Sequence, residues 1–365
     1  MDNKTNNHTP RFHVVKRVKE TLPWYMGFTV RSIAIVLALI VSAVVIAALT
    51  SKNPIEVYSA MFDGVFGTPD RIWNLLQKIA MLLCIALAVT PAFKMKFWNI
   101  GAEGQVLIGG LATICCMMFL GDKMPYWLLI VTMFAASVLA GMIWAVIPAI
   151  FKAFWNTNET LFTLMMNYVA TQLVAYFLKI NVKSGSGVLS PIDEYGLPII
   201  GGERYLLNII IVFILTVAAF IYLKYSKHGY EISVVGESEN TAKYIGINVK
   251  KVIIRTLMVS GAVCGIAGLL LVGGTNHTIS TSTVGGRGFT AIMVSWLAKF
   301  NPIYMVFTTF LIIFLEMGTQ HIADTFKISN SISDIVAGII LLFIIGCEFF
   351  LQYKIVRQTK EKEDK

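Results

Sequence analysis

Four stretches without a charged side chain, Ser32–Ser51, Pro125–Phe151, Thr160–Leu178 and Tyr205–Leu223, decide what this chain can fold into. Each approaches or exceeds the roughly 20 residues that an α-helix needs to cross a bilayer. Of the 365 residues, 56% are hydrophobic and 14% charged, where a soluble globule of this length carries about 25% charged residues. The expected fold class is an all-α polytopic membrane protein.

The net charge of +9 invites a nucleic-acid reading, but its distribution answers to topology. With the N-terminus inside and loops alternating, 21 of the 30 lysines and arginines fall on the inner side, as the positive-inside rule expects. Aromatic residues do not interleave with these clusters as a single-strand binder requires. The polar, basic residues 1–30 precede a full-length apolar span, which suits a retained signal-anchor rather than a cleaved leader. The five cysteines (Cys84, Cys115, Cys116, Cys264 and Cys347) all sit in apolar segments without metal-ligand spacing, so no metal site is expected. They read as small packing residues in reduced form.

Along the chain, residues 1–30 form a basic tail on the cytoplasmic side, 31–353 a transmembrane domain, and 354–365 a second cytoplasmic tail. About ten spans are expected, near 32–50, 73–91 (stopping at Pro91), 100–120, 126–151, 159–178, 206–223, 256–274, 289–298, 302–318 and 335–353. The outer segment 51–71 carries turn signals and room for a short surface helix, and 179–205 is an outer loop rich in Gly and Pro. The longest interior polar segment is Lys224–Arg255, in which Gly236 ends a short apolar stretch and Glu237–Ile245 reads as a short helix stopped by Gly246. Gly261, Gly265 and Gly268 lie on one helix face and suit close packing.

Two pieces depart from ordinary spans. The eighth, 289–298, is short, and the third opens with Asn99–Gly110, NIGAEGQVLIGG, which glycines interrupt. Short or glycine-broken helices point to a transport pathway, and a carboxylate at membrane depth has to be buried in protein or face a cavity. The polar candidates are Asn99, Glu103, Gln105, Asn158, Glu159, Asn167 and Arg287, with Phe289 as an aromatic able to stack on a ligand ring. Each has a structural alternative. Glu103 can stabilise its own helix N-terminus, Asn158 and Glu159 can cap the fifth span, Arg287 near the outer face can snorkel, and Asn167 can bond between helices. A phosphate-binding loop, an H-E-x-x-H pair and a G-x-S-x-G elbow are all missing from the sequence. The chain reads as non-enzymatic, and any use of ATP requires a separate ATPase.

The order Gly229…Val235-Gly236-Glu237-Ser238…Ala242…Gly246-Ile247, followed by Ser260-Gly261…Gly265-Ile266-Ala267-Gly268, resembles permease subunits of binding-protein-dependent ABC importers. The resemblance is to the ribose, branched-chain amino acid and nucleoside permease superfamily. Gly285-Gly-Arg-Gly-Phe-Thr-Ala-Ile292, Pro302 and Asn158-Glu159-Thr160…Leu164-Met165-Met166-Asn167-Tyr168 extend it to roughly residues 55–350. The stretch Phe97–Gly110 points to the nucleoside, guanosine-type branch. What the resemblance implies is a type II importer-like fold and a plasma-membrane location with both termini cytoplasmic. It also implies an ATPase-coupling role for Gly229, Gly236, Glu237, Ser238, Ala242 and Gly246. The implied partners are a second homologous permease, a cytoplasmic ABC ATPase that hydrolyses the ATP, and an extracytoplasmic substrate-binding lipoprotein. The alternatives are a ribose-type sugar permease, and an ATP-independent channel or secondary carrier.

Overall fold

A computed structural model of the chain describes residues 12–16, 24–50, 53–182, 189–327 and 329–357. In chain order the elements are β1 (Phe12–Lys16), α1 (Trp24–Thr50), α2 (Pro54–Phe66), α3 (Pro69–Lys94), α4 (Ala102–Leu120), α5 (Tyr126–Trp155), α6 (Glu159–Asn181) and α7 (Leu206–Tyr225). There follow α8 (Lys227–Glu237), α9 (Glu239–Tyr244), α10 (Val249–Leu271), α11 (Arg287–Leu297), α12 (Pro302–Phe326), α13 (Asn330–Gln352) and β2 (Tyr353–Arg357). Among the described residues seven helices, α3 to α7, α10 and α12, are long and apolar enough to cross a membrane. The helices α1 and α13 carry the shorter apolar runs Ser32–Ala48 and Gly338–Cys347. Together with the short α11 these are the ten expected segments.

The chain divides into two compact units. One comprises residues 1–68 and 315–365, where α1 packs along α13 and β1 pairs antiparallel with β2, Phe12 opposite Arg357 and Lys16 opposite Tyr353. The expected helical architecture holds throughout the spans, and this ribbon is an addition to it, in and beside what read as two tails. Each strand is five residues long, too short to stand out as a strand before the two ends of the chain are brought together. The expected surface helix is α2, whose start is capped by Asn53 Oδ1 accepting from the Ile55 N–H at 3.0 Å.

The other unit, residues 69–314, is built around α10, with α5 against one face and α3 and α4 against others. Glycines permit this closeness. Gly261 meets the Gly141 carbonyl, Gly265 meets that of Ser137, and Gly268 meets the backbone of Gly110 and Val106. A Cβ at Gly109 would lie 2.7 Å from the Gly265 Cα. Small residues that let backbones touch are how helices associate where lipid removes the hydrophobic drive.

Three boundaries differ from the sequence reading. The helix α3 runs through Pro91 to Lys94, because a membrane helix packed among others tolerates the lost N–H. The third span is unbroken from Ala102 onward; its glycines are packing surfaces, and the irregular backbone lies before it, at 97–101. The Lys224–Arg255 segment forms two helices, and Gly236 lies inside α8 because a side chain there would strike the Lys94 carbonyl. The break comes at Ser238, whose Oγ caps α9 by accepting from the Thr241 N–H at 3.2 Å.

The expected outer loop is stitched down where it is described. The Ile192 N–H donates to the His277 carbonyl at 2.8 Å and the Leu197 N–H to that of Gly273 at 2.7 Å. The Ser184–Gly187 turn signal lies outside the described residues.

Candidate functional site

The polar groups around Asn99–Gly110 turn inward onto the protein. Asn99 is fully buried, and its Oδ1 accepts from the Gly101 N–H at 3.1 Å and from Gln105 Nε2 at 3.2 Å. Its Nδ2 donates to Ser260 Oγ on α10 at 3.4 Å. Asn167, two turns into α6, clamps the same turn from the other side. Its Oδ1 accepts from the Gly104 N–H at 2.8 Å and its Nδ2 donates to the Ile100 carbonyl at 2.9 Å. A Cβ at Gly104 would lie 2.8 Å from that Oδ1, so glycine and amide fit only as a pair. Thr163, which the sequence reading did not single out, receives the Ile100 N–H at 3.1 Å and donates to the Glu159 carbonyl at 2.7 Å. Asn158 caps α6 through the Leu161 N–H at 3.1 Å, and Glu159 pairs with Lys152 at 2.9 Å.

Glu103 sits in the first turn of its own helix, where a carboxylate suits the dipole, and its two oxygens also bond the N-terminus of a second helix. Its Oε1 accepts from the Gly286 N–H at 2.8 Å and its Oε2 from the Gly288 N–H at 2.7 Å. These are amides at the start of α11, where N–H groups have no intrahelical partner and the dipole favours negative charge. Two glycines make this possible. Gly286 takes a left-handed φ of 78°, and a Cβ at Gly288 would lie 2.6 Å from the Glu103 nitrogen. The carboxylate thus ties the first turn of α4 to the first turn of α11, 183 residues away along the chain.

This contact also relocates Arg287, expected near the outer face. After α10 the helix closes in a π-helical turn, Val272–Asn276, and His277 adopts a left-handed φ of 52°. Residues 277–286 then run back along α4, with the buried Ile279 and Val284 beside Val106, Leu107 and Gly110. Arg287 therefore opens α11 at the end of α4 nearest Lys94 and Lys96. The eighth segment is a half-length helix completed by an irregular descent, and the descent read in sequence as a plain outer turn.

The far end of α11 is fixed to α3 by a 2.8 Å hydroxyl pair, Thr90 with Ser295. There Trp296 lies 5.5 Å from Trp98, 6.4 Å from Phe93 and 5.7 Å from Phe300, measured between ring centroids. Lys299 and Phe300, in the turn to α12, both adopt left-handed φ, 52° and 59°. Consecutive non-glycine residues in that region store strain of about 1 kcal/mol or more each. While one face of α11 is buried at Gly288, Ala291, Val294 and Ser295, the other leaves Phe289 and Trp296 46% and 48% exposed. Trp98 beside them is 45% exposed. Of the candidates, Phe289 and Asn158 are exposed and Glu103, Glu159 and Arg287 partly so, and on the α11 side Trp98 and Trp296 join Phe289. Sequence could have flagged Trp296 as seven residues after Phe289, two turns along one face.

A second polar knot also escaped the sequence reading. Thr275 Oγ1 receives Gln77 Nε2 at 3.0 Å and Asn208 Nδ2 at 3.2 Å, joining α3 and α7 to the π-helical turn.

Toward the Lys94 end, α8 and α9 sit on a buried cluster in which Ile232, Val235 and Ala242 meet Ala92, Met95, Phe97, Ala149 and Leu257. Gly229 lies against the carbonyls of Tyr222 and Leu223 at 2.5 and 2.6 Å from a Cβ position, and Gly246 adopts a left-handed φ of 83°. Ala242 is the buried anchor of α9, while Glu237 and Ile245 are exposed and Tyr244 is 93% exposed. Arg255 Nη2 donates to Glu231 Oε2 at 2.6 Å, and this hydrogen bond holds the Glu231 carboxyl below its usual range.

Residues 71–345 match the family model described as branched-chain amino acid transport system / permease component. A guanosine ABC transporter permease protein of Bacillus subtilis is 28% identical, covering 86% of this chain and 91% of that one. A glucose ABC transporter permease protein of Haloferax volcanii is 26% identical, covering 92% of each chain. A nucleoside ABC transporter permease protein of Lactococcus lactis is 26% identical, covering 91% of this chain and 96% of the other.

Proposed function

The chain belongs to the branched-chain amino acid transport system / permease component family, and from that premise we propose that it carries nucleosides, guanosine-type purines among them, into the cell. At the coarser level it is an integral-membrane permease of the ABC importer type, a transport subunit whose ATPase is a separate protein. The observation that carries the finer reading is its likeness, over most of its length, to permeases named for guanosine and for nucleosides.

The working assembly pairs this chain with a second homologous permease, a cytoplasmic ATPase and an extracytoplasmic binding lipoprotein. The α8–α9 pair is the coupling element. Its anchored underside and its free outer face, with Tyr244 and Ile245 exposed, suit a helix that passes motion from a docked protein to α3, α5 and α10. On ATP binding the pair shifts. The motion reaches α11 through α3, to which Ser295 and Trp296 are attached, and alternating access follows. Phe289, Trp98 and Trp296 offer aromatic faces on which a base can stack. Asn99, Gln105 and Asn167 support the turn that carries Glu103. Both termini lie on the cytoplasmic side of a bacterial plasma membrane.

The likeness to a glucose permease favours a sugar as the second reading. The test is uptake of radiolabelled guanosine by the native host, by a deletion strain and by the complemented strain. We expect uptake to vanish on deletion, to return on complementation, and to be competed by unlabelled nucleosides but not by glucose or ribose. Competition by the sugars instead, or uptake unaffected by deletion, overturns the nucleoside reading. Uptake by proteoliposomes holding this chain alone overturns ATPase dependence.

A further inference from the structure

A crevice of about 220 Å³ opens between α3, α7 and α10. Its walls are apolar, with Leu87, Ala88 and Pro91 from α3, Leu215 and Ala219 from α7, and Val263 from α10. The outer face of α7 exposes Phe213, Ile214, Val217 and Ile221, as a helix on the lipid-facing perimeter does. A slot of this kind between perimeter helices admits hydrocarbon.

A cation adjoins its end at Leu223. Lys94 follows Leu87 and Pro91 on the same face of α3, at spacings of seven and three residues, and its ammonium donates to the carbonyl of Leu223, itself a wall residue, at 3.3 Å. Lys96, Lys224 and Lys227 stand at the same end of the helices, whereas α7 has no acid and α3 none after Asp70. Of the two acids of α8, Glu231 is committed to Arg255 and Glu237 lies at the far end. A single carbonyl leaves an ammonium with two further donors. Basic pockets between membrane helices on the cytoplasmic side recognise anionic headgroups.

We propose that this crevice is a site for an anionic phospholipid of the leaflet next to α8, with an acyl chain between α3 and α7 and the phosphate on Lys94. The site adjoins the coupling element. Gly236 of α8 meets the Lys94 carbonyl, and Gly229 meets those of Tyr222 and Leu223. A lipid seated there fixes the end of α7 against α3, and with it the seat of α8.

The test is native mass spectrometry of the purified full-length chain, titrated with phosphatidylglycerol or phosphatidylcholine of the same acyl composition. Wild type is expected to retain phosphatidylglycerol about fivefold more tightly, as one lysine at a headgroup supplies. Lys94→Gln should bring the ratio near one, and Ala219→Phe, which fills the slot, should lower retention of both lipids. Equal retention by wild type, or a preference unchanged in Lys94→Gln, overturns the site. Should Ala219→Phe misfold, the quenching by brominated-chain phosphatidylglycerol that Tyr222→Trp adds over wild type, which has seven native tryptophans, and the loss of that added quenching in the Tyr222→Trp/Lys94→Gln double variant decide the same point. The readout is lipid retention, so its failure leaves the transported substrate untouched.

Discussion

Glu103 shows why residue identity at membrane depth cannot be read without its partner. A carboxylate among glycines invites a substrate role, yet both its oxygens are taken up by the Gly286 and Gly288 amides. Glu103→Gln keeps one acceptor, turns an NH₂ toward the other amide and removes the negative charge from the α11 N-terminus. The expected cost is about 2 kcal/mol of stability, the scale of a charge-assisted hydrogen bond, read as a lowered thermal unfolding midpoint in detergent. Asn167→Ala is expected to cost more, about 2–5 kcal/mol, because it strands the buried Gly104 N–H and the partly buried Ile100 carbonyl. Uptake should fall in both variants together with the melting temperature. Uptake lost from Glu103→Gln with an unchanged midpoint would give the carboxylate a direct contact with substrate instead.

Among the helices, α8 is the element whose behaviour is most sharply constrained. Gly236→Trp forces a ring against the Lys94 carbonyl, so α8 has to leave its seat. The expected outcome is a chain that still inserts, with uptake reduced at least about tenfold as the coupling contact is lost; unchanged uptake would remove α8 from the coupling path. The Glu231–Arg255 pair gives the same seat a pH dependence. The carboxyl titrates below its ordinary value in the folded chain. Its stabilisation is therefore complete above the ordinary carboxylate pKa of about 4.3 and fades as the pH falls through the lower folded value. Melting measured from pH 7 downward should show wild type above Glu231→Gln near neutrality and the two converging below about pH 4. The same contrast explains how much of the architecture was legible. Spans were legible because apolar length is local, and so was the Gly261/Gly265/Gly268 face, whose spacing states its use. Gly236 and the glycines of α4 were misread as breaks because a glycine in sequence does not say whether it bends a helix or admits a neighbour. The return of residues 277–286 along α4 was hidden because its evidence is a contact 183 residues away. The ribbon of β1 and β2 was hidden for the same reason, since its two halves lie at opposite ends of the chain.

For the molecule as a whole, orientation is the property on which the transport reading stands, since the α8–α9 pair can meet an ATPase only from the cytoplasm. Positive charge argues for that side, with Lys94, Lys96, Lys152, Lys299 and six basic residues of Lys224–Arg255 gathered on one face of the alternating spans. Two exposed positions report on opposite faces in that arrangement, Tyr244 in α9 at 93% and Ile199 in the 189–205 loop at 65%. The native thiols interfere little, since Cys84, Cys116, Cys264 and Cys347 are buried and Cys115 is partly so. Tyr244→Cys and Ile199→Cys, each in the full chain, are to be treated with a membrane-impermeant maleimide in intact cells and again after permeabilisation. Ile199→Cys is expected to label in both conditions and Tyr244→Cys only after permeabilisation. The reverse pattern would put α8 and α9 outside, where no ATP is available. The coupling assignment and the charge-based topology would then fall together, since both rest on the same face of the molecule.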